Sequence, residues 1–341
     1  MDTLSELLTE LRLVSGFFLQ AEFFAPWCID SAPGKEDLHH ILPGAEHVTV
    51  FHLLTEGQCG VRLPGASETW ALQAGDVVIF PRGDAHLIGS DLQRAPMRAA
   101  GLVEPADGGG LMRISYGGGG ERTRFICGFL SGDPRLCRPL LDSLPPVVRV
   151  PLCDPDKVSW IAETMRFATQ ESSAPGLGSG VILSRVSELI FVEALRRYAA
   201  ALPEAQQGWL AGLRCPYISR ALSLLHARPA HPWTVEELAA QAGLSRSALA
   251  ERFQRLLGEP PLRYLTRWRL ALAARQLRET QEPLIRIAER VGYESEAAFN
   301  RAFRREFGMP PAAWRRLRRE AVDAQPAQPR PGRSPALQAS P

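Results

Sequence analysis

The chain has 341 residues, of which 45% are apolar and 22% charged, and this is typical of a globular protein with two domains. It has no apolar run long enough to predict a membrane span, and its first residues, MDTLSELLTELRL, indicate an acidic amphipathic helix rather than a signal peptide. The six cysteines are scattered without a CxxC pair, which favours reduced thiols over a disulfide framework. We therefore expect a cytoplasmic protein with no membrane contact.

The net charge of +2 conceals two regions of opposite charge. Residues 1–213 carry 17 Lys and Arg against 25 Asp and Glu, a balance of −8, whereas residues 214–320 carry 20 Arg against 11 acidic residues, a balance of +9. A basic region attracts polyanions, and Arg suits bidentate contacts to phosphate and guanine. The C-terminal part is therefore a candidate for nucleic-acid binding, although Arg without Lys is also typical of a GC-rich genome.

The first half of the chain predicts strands followed by two helices. Residues 40–105 alternate apolar and polar positions between Gly and Pro turns, and LMRISY adds a strand between two glycine runs. Helices are predicted from Pro155 to about Glu171 and from about Ser179 to Ala201. Their apolar residues recur at helical spacing, at Val158, Ile161, Met165, Ile182, Val186, Leu189, Ile190 and Leu195.

The segment GDVVIFPRGDAH, from Gly75 to His86, resembles the second motif of the cupin β-barrel, whose histidine is a metal ligand in enzymatic members. The first cupin motif is degenerate, because H-x-H is missing and Val50 stands where a Glu would be. His52 lies on the same strand face and can approach His86. We expect this pair to sense a ligand without a cofactor. A metal site and a simple hydrogen-bonded pair both stay open, since zinc sites usually have three or four protein ligands.

Cys127 and Cys137, in CGFLSGDPRLC, are close enough in sequence to form a disulfide. Oxidation of this pair is therefore a second hypothesis for the signal. The alternative is a set of buried and inert thiols. The effector is thus predicted to be a small molecule or an oxidant of unknown identity.

The C-terminal half contains an internal repeat. LAAQAGLSRSALAERFQRLLGEPP, 238–261, aligns with IAERVGYESEAAFNRAFRREFGMPP, 287–311, once one residue is inserted after the glycine. Each copy predicts a helix-turn-helix, with a glycine at a left-handed helix end, a serine cap and two core residues four apart. Thr234 and Glu237 predict a capping box at the start of the first copy. The repeated positions are Gly243, Ser245, Leu249 and Phe253, and Gly292, Ser295, Phe299 and Phe303.

The opposite faces of the two second helices carry the candidates for contacts to bases and phosphates. These residues are Arg246, Ser247, Ala250, Glu251, Gln254 and Arg255 in the first copy, and Ser295, Glu296, Ala297, Asn300, Arg301 and Arg304 in the second. Between the copies, residues 262–279 predict a helix of about 27 Å. One chain could then reach two groove segments that lie about 34 Å apart. The alternative is a helical bundle with an Arg-rich surface.

Residues 216–317 resemble the DNA-binding domain of the AraC/XylS family of bacterial transcription regulators, whose signature is close to IAERVGYESEAAFNRAFRREFGMPPAAWR. Trp314 stands where Tyr is usual in that family. The resemblance implies that Arg246, Ser247, Ala250 and Glu251, with Glu296, Ala297, Asn300 and Arg301, contact bases. It also implies a sensing and dimerising N-terminal half, hence a homodimer, a double-stranded DNA operator and contact with RNA polymerase. Activation and repression both stay open, with activation as the working expectation.

The predicted fold class is α+β with several domains, a cupin-like β-barrel with a helix pair followed by an all-α domain of two helix-turn-helix motifs. The function predicted is a sequence-specific transcription regulator and not an enzyme. The alternatives are a metal-dependent cupin enzyme fused to a DNA-binding module and an architectural nucleic-acid protein. The predicted domains are a sensor barrel at 1–150, a helix pair for dimerisation at 151–203, a linker at 204–215, the DNA-binding domain at 216–320 and a disordered tail at 321–341.

Overall fold

The computed structural model describes residues 4, 5, 8, 14–31, 47–104, 112–152, 160–173, 178–203 and 205–323. Most of the predicted N-terminal helix lies outside these ranges, as do Val158 and residues 324–341 of the predicted tail. Ile161 and Met165 lie in a described helix, but their side chains are outside the description.

The described part of the first half forms eleven strands. They are β1 (Val14–Phe24), β2 (Cys28–Asp30), β3 (Val48–Glu56), β4 (Gln58–Arg62), β5 (Trp70–Gln73), β6 (Asp76–Phe80), β7 (Leu87–Gly89), β8 (Met97–Arg98), β9 (Met112–Gly117), β10 (Arg122–Ser131) and β11 (Val148–Pro151). A six-stranded sheet has the order β11-β6-β3-β10-β1-β9, and a five-stranded sheet has the order β5-β4-β7-β2-β8. Neighbouring strands are antiparallel except for the pairs β1 with β9 and β2 with β8.

The core of the β region lies on the inward face of β3 and its neighbours. Val50 and Leu54 on this face pack with Phe80, Phe125 and Trp27 in one buried cluster. The first seven residues of β3 are all buried, and its sequence is apolar almost throughout. Such a run is typical of a strand covered on both faces.

Besides the helical residues 4, 5 and 8, the described ranges contain eleven α-helices, and a short 3₁₀ helix, Ala99–Leu102, lies between β8 and β9. They are α1 (Pro134–Leu141), α2 (Trp160–Ser173), α3 (Ser179–Ala201), α4 (Trp209–Arg214), α5 (Pro216–Ala227), α6 (Val235–Ala242), α7 (Arg246–Leu257), α8 (Pro261–Glu279), α9 (Leu284–Arg290), α10 (Glu296–Phe307) and α11 (Pro311–Asp323). Helix α3 has the bounds that its periodicity predicted. Helix α4 lies where the sequence predicted a linker, and α11 continues three residues into the predicted tail.

The chain divides into two compact units, Met1–Trp268 and Arg269–Pro341. The division falls inside α8, so the first helix-turn-helix copy belongs to the unit that contains both sheets of the predicted cupin barrel, and the second copy belongs to the other unit. The β-rich first half and the helical second half confirm the predicted α+β class. Among the described residues, no helix is long and apolar enough to cross a membrane.

Candidate nucleic-acid interface and sensor interior

The first helix-turn-helix copy has the caps that its sequence predicted. The Thr234 side chain accepts from the backbone N–H of Glu237, and the Ser245 side chain accepts from Ala248 N at 3.3 Å. Gly243 ends α6 with φ 83°, a conformation that glycine adopts without steric cost. The capping box is only half formed, because the Glu237 carboxylate accepts from the side chains of His231 and Gln241 instead.

The second copy repeats this local structure with different side chains. Ser295 caps α10 by accepting from Ala298 N at 3.2 Å, and Gly292 has φ 86°. Both recognition helices, α7 and α10, end at a glycine with φ 75°, Gly258 and Gly308. The core positions of both copies, Leu249, Phe253, Phe299 and Phe303, are fully buried. The sequence repeat is therefore a structural repeat.

The outward faces of α7 and α10 present the residues that the sequence singled out. All twelve candidates are exposed or half-buried. The half-buried ones are Ala250 and Asn300. The exposed ones are Arg246, Ser247, Glu251, Gln254, Arg255, Ser295, Glu296, Ala297, Arg301 and Arg304. Solvent access is what contact with a base edge or a phosphate requires.

The two outward faces differ in how their arginines are held. Arg246 Nη1 lies 3.0 Å from Glu236 Oε1 at the start of α6. Arg301 and Arg304 make no ion pair with any residue that the structure describes. The side chain of Asn300 donates to the Glu296 carbonyl of its own helix at 2.9 Å. The second copy therefore presents two arginines without an ion pair. In the first copy the leading arginine, Arg246, is held in an ion pair.

A buried polar network that the sequence analysis missed stabilises the first copy. Trp209 Nε1 donates to the Tyr264 hydroxyl at 3.1 Å, and this hydroxyl lies 2.7 Å from His226 Nε2. The His226 ring also stacks on Trp268, with 4.3 Å between ring centroids. Burial lowers the pKa of His226 to about 3, so the imidazole is neutral. Its Nε2 accepts a hydrogen bond from the Tyr264 hydroxyl. The network joins α4, α5 and α8 within one unit.

Three side chains inside the barrel form a continuous hydrogen-bonded chain. His52 on β3 and Cys127 on β10 are paired across the two strands, and His52 Nδ1 lies 2.8 Å from Cys127 Sγ. His52 Nε2 lies 2.8 Å from His86 Nε2, and His86 Nδ1 lies 2.9 Å from the Asp84 carbonyl. The predicted approach of His52 to His86 is confirmed. Cys127 as the third member was not predicted.

The geometry sets the direction of every hydrogen bond among Cys127, His52, His86 and the Asp84 carbonyl. A carbonyl only accepts, so His86 Nδ1 carries the proton and His86 Nε2 is an acceptor. His52 Nε2 must then donate to His86, which leaves His52 Nδ1 to accept from the Cys127 thiol. All four imidazole nitrogens are engaged. A metal ion could bind either ring only by displacing one of these bonds.

Burial keeps the imidazoles of His52 and His86 and the thiol of Cys127 uncharged. Desolvation lowers the pKa of His86 to about 4 and also lowers the pKa of His52, where the neighbouring His86 adds to the effect. Desolvation raises the pKa of the Cys127 thiol. Within the described ranges, no group of three or more His, Cys, Asp or Glu side chains could hold a metal ion.

Cys127 and Cys137 are both buried free thiols in this structure, and the oxidation of this pair stays a hypothesis. Burial raises the pKa of Cys137 to about 12. A third histidine of the β region, His47, donates to the Pro81 carbonyl at 2.8 Å.

Comparison with known proteins places these sites in a family. A family model described as Cupin matches residues 2–200, and one described as Helix-turn-helix domain matches residues 238–317. A putative AraC-like transcription regulator of Streptomyces antibioticus is 38% identical over 80% of this chain and 88% of its own length. The chain belongs to the AraC family of transcription regulators.

Two further relatives extend the likeness along the chain. The HTH-type transcriptional regulator AlkR of Acinetobacter baylyi is 30% identical over 92% of this chain and 99% of its own length. The RCS-specific HTH-type transcriptional activator RclR of Escherichia coli is 30% identical over 80% of this chain and 86% of its own length. This AraC-family chain is a DNA-binding transcription regulator with a cupin domain at its N-terminal end.

One more residue of this AraC-family chain, Arg82, makes contacts that the sequence did not predict. Arg82 lies inside the cupin motif, and its Nη2 donates to the carbonyls of Leu141 and Leu144 at 3.1 and 3.0 Å. The motif defines this position only as an unspecified residue between Pro81 and Gly83. No sequence signal connects it to a helix end some sixty positions later.

Proposed function

We propose that this AraC-family regulator reads its operator through the outward faces of α7 and α10 and adjusts that reading to a signal received in its cupin barrel. The observation that carries the proposal is the structural repeat, in which two capped recognition helices bury one face and expose the other. Arg246 and Arg255 in the first copy, with Arg301 and Arg304 in the second, are the residues best suited to guanine and phosphate.

Helix α8 joins the two copies along the chain and supports reading of two adjacent groove segments. Its 19 residues correspond to about 28 Å, because an α-helix rises about 1.5 Å per residue. Major-groove segments on one face of DNA lie about 34 Å apart. A single chain with two reading helices then needs no partner to contact two segments. A partner chain would add further segments and so lengthen the operator.

The signal receiver in this proposal is the chain Cys127–His52–His86. A small molecule that accepts or donates hydrogen bonds, or an oxidant that converts the Cys127 thiol to a sulfenic acid, would break the bond to His52. Burial and a raised pKa make a thiol a poor nucleophile, which favours the small molecule over the oxidant. Thiol mass mapping after mild oxidant tests the oxidant, and unchanged thiols at doses that alter DNA binding would exclude it.

A metal-dependent cupin enzyme is the second candidate function. It is disfavoured because Val50 replaces the expected Glu and because the two imidazoles already use all four nitrogens on each other, Cys127 and Asp84. Metal analysis of the purified protein decides between the two. Stoichiometric iron or manganese would favour the enzyme, and substoichiometric metal would favour the regulator.

Helices α2 and α3 are proposed to form a homodimer interface. Of the apolar residues predicted for this role, Val186, Ile190 and Leu195 are buried, whereas Ile182 and Leu189 keep 39% and 45% of their surface exposed and lie two turns apart. Trp160 and Phe167 repeat this spacing on α2. Leu189→Glu should dissociate the dimer in sedimentation experiments, while Leu317→Glu, at an exposed leucine of α11, should not.

Activation through RNA polymerase is part of the proposal, supported by one relative whose name specifies an activator. A cytoplasmic location is also part of the proposal, because a regulator of promoters acts where the chromosome is. The test is genome-wide occupancy of the tagged protein in its native host, combined with transcript levels in a deletion strain. Sharp peaks at a few promoters, with lower transcription of the adjoining genes in the deletion strain, are expected. Diffuse occupancy under all conditions would contradict the proposal.

A further inference from the structure

Three successive contacts connect the histidine chain of the barrel to the first recognition helix, all inside the unit Met1–Trp268. We propose that Arg82 and Gly208 are the coupling residues of this regulator, and that they transmit the state of His86 to α7 through the end of α1 and through α4. The inference rests on the proposed DNA-binding function and specifies how the barrel controls it.

The first contact lies in the turn that follows β6. His86 Nδ1 donates to the Asp84 carbonyl at 2.9 Å, and Arg82 precedes Asp84 by two residues in the same turn. Gly83 between them has φ +66°, and a Cβ there would lie 2.8 Å from the Val48 carbonyl oxygen. The turn is therefore packed tightly on β3. A displacement of His86 that keeps its hydrogen bond to Asp84 would therefore move the backbone that carries Arg82.

The second contact joins this turn to the end of α1. The guanidinium of Arg82 donates to the carbonyl of Leu141, the last residue of that helix, and to the carbonyl of Leu144 just beyond it. Terminal carbonyls have no partner inside their helix, and a cation interacts favourably with the C-terminal end of the dipole. Leu141 and Leu144 are buried, so the segment that Arg82 holds is itself anchored in the core.

The third contact passes from α1 through α4 to α7. Gly208, at the start of α4, has φ +113°, and a Cβ there would lie 2.9 Å from the Cβ of Ser143. Its backbone N–H donates to the carbonyl of Leu256, in the last turn of α7, at 2.7 Å. Gly212, one turn further along α4, packs against Leu257 of the same helix. Helix α4 therefore lies between the end of α1 and the end of the first recognition helix.

Helix α4 is also tied firmly to the rest of the first copy. Trp209 donates to Tyr264 in the buried network with His226, so α4 and α8 are held by a hydrogen bond between buried groups. A buried polar pair of this kind is costly to break, since the orphaned group cannot reach water. A displacement of α4 would then move α7 and α8 together and would alter how the first copy is presented to DNA.

The inference predicts an energetic coupling between the turn that carries Arg82 and the DNA-binding face of α7. Coupling is reciprocal, so DNA bound at α7 must change the stability of the barrel turn if the turn changes DNA affinity. The experiment is hydrogen exchange of the full-length protein with and without the promoter fragment of strongest occupancy. The peptides of interest cover residues 81–86 and 134–144.

In the wild type we expect DNA to change the exchange rates of both peptides by about fivefold or more, the lower end of typical allosteric coupling. Arg82→Gln should retain the change in 134–144 and reduce it to less than about twofold in 81–86. Gly208→Ala, which places a Cβ against Ser143 at an unfavourable φ, should abolish both changes.

Two matched variants separate coupling from general damage. Arg62→Gln removes a comparable arginine-to-carbonyl bond, from Arg62 Nη2 to Leu92 O at 3.1 Å, away from α1. Gly178→Ala creates similar backbone strain, at φ +81°, in open space. Both should keep the wild-type response. Unchanged exchange in 81–86 and 134–144 when the wild type binds DNA would overturn the inference, as would a full response at 81–86 in Arg82→Gln. A wild type that binds no fragment would instead overturn the DNA-binding function.

Discussion

In the first helix-turn-helix copy the leading arginine, Arg246, is paired with Glu236, whereas in the second copy Arg301 and Arg304 have no ion pair with any described residue. Each outward face carries two arginines and one glutamate among its six candidates, so the two faces have the same net charge. The two copies share caps, turns and core positions. They differ in whether the leading arginine is already held in an ion pair.

The surroundings of the two copies differ as well. The first copy shares a compact unit with the barrel and is joined to it through α4, while the second copy lies in the unit Arg269–Pro341. We infer a division of labour, in which the second copy supplies most of the affinity for DNA and the first copy receives the signal.

The largest expected effect tests whether the two copies are equally stable modules. Phe253 and Phe303 occupy the same repeated core position, and both are fully buried. Phe253→Ala and Phe303→Ala should each lower the free energy of unfolding by about 3–5 kcal/mol, through lost burial and a residual cavity. Hydrogen exchange of α7 and α10 measures each effect locally. A loss in one copy that is negligible in the other would contradict the equivalence of the two cores.

A second prediction separates the copies by their response to acid. Burial lowers the pKa of His226 in the first copy to about 3, whereas residues 269–341 contain no histidine. Below pH about 6.5, the pKa of His226 in the unfolded chain, the unfolded state binds a proton that the folded state excludes. The free energy of unfolding is therefore not reduced by His226 above that pH. It declines by up to about 1.4 kcal/mol for each pH unit below it.

Local stability measured by hydrogen exchange from pH 7 to pH 5, corrected for intrinsic rates, should therefore fall in α5 and α7 but not in α10 through this mechanism. A His226→Gln variant should lose the pH response of the first copy. Equal acid sensitivity in both copies of the wild type would show that the titration of His226 does not distinguish them.

The smallest expected effect concerns the ion pair of the first copy. Glu236→Gln removes a negative charge from the DNA-facing side and releases Arg246. The pair is exposed, and such pairs contribute at most about 1 kcal/mol. DNA affinity should therefore rise by less than about fivefold. Glu289→Gln, which releases the exposed Arg286 in the second unit, is the matched control. Weaker binding by Glu236→Gln would mean that the carboxylate positions Arg246 for DNA.

The parts of this structure that the sequence predicted are those with strong local signals. Glycine at each turn, serine at each cap and apolar residues four apart define both helix-turn-helix copies, and the same periodicity defined α3 from Ser179 to Ala201. The alternation of β3 placed His52 on the face of His86. Helix α4 was missed because its six residues, one of them Gly212, are too few to show a helical period.

Contacts that depend on distant strands could not be predicted. Cys127 meets His52 only because β10 pairs with β3 across 75 positions, and nothing near Cys127 specifies that pairing. Arg82 likewise depends on the position of the end of α1. Both contacts involve residues that are ordinary in their own segments. They acquire a role only from the topology of the sheet.

The most direct test of the division of labour is the affinity of Arg301→Ala and Arg246→Ala for the same promoter fragment at one salt concentration. Arg301→Ala should weaken binding by about 1–3 kcal/mol, the value of a lost arginine–guanine contact, and should relax specificity at one position. Arg246→Ala should cost less than about 1 kcal/mol, because its guanidinium already has a partner in the absence of DNA. Equal losses, or a larger loss for Arg246→Ala, would contradict the assignment of affinity to the second copy.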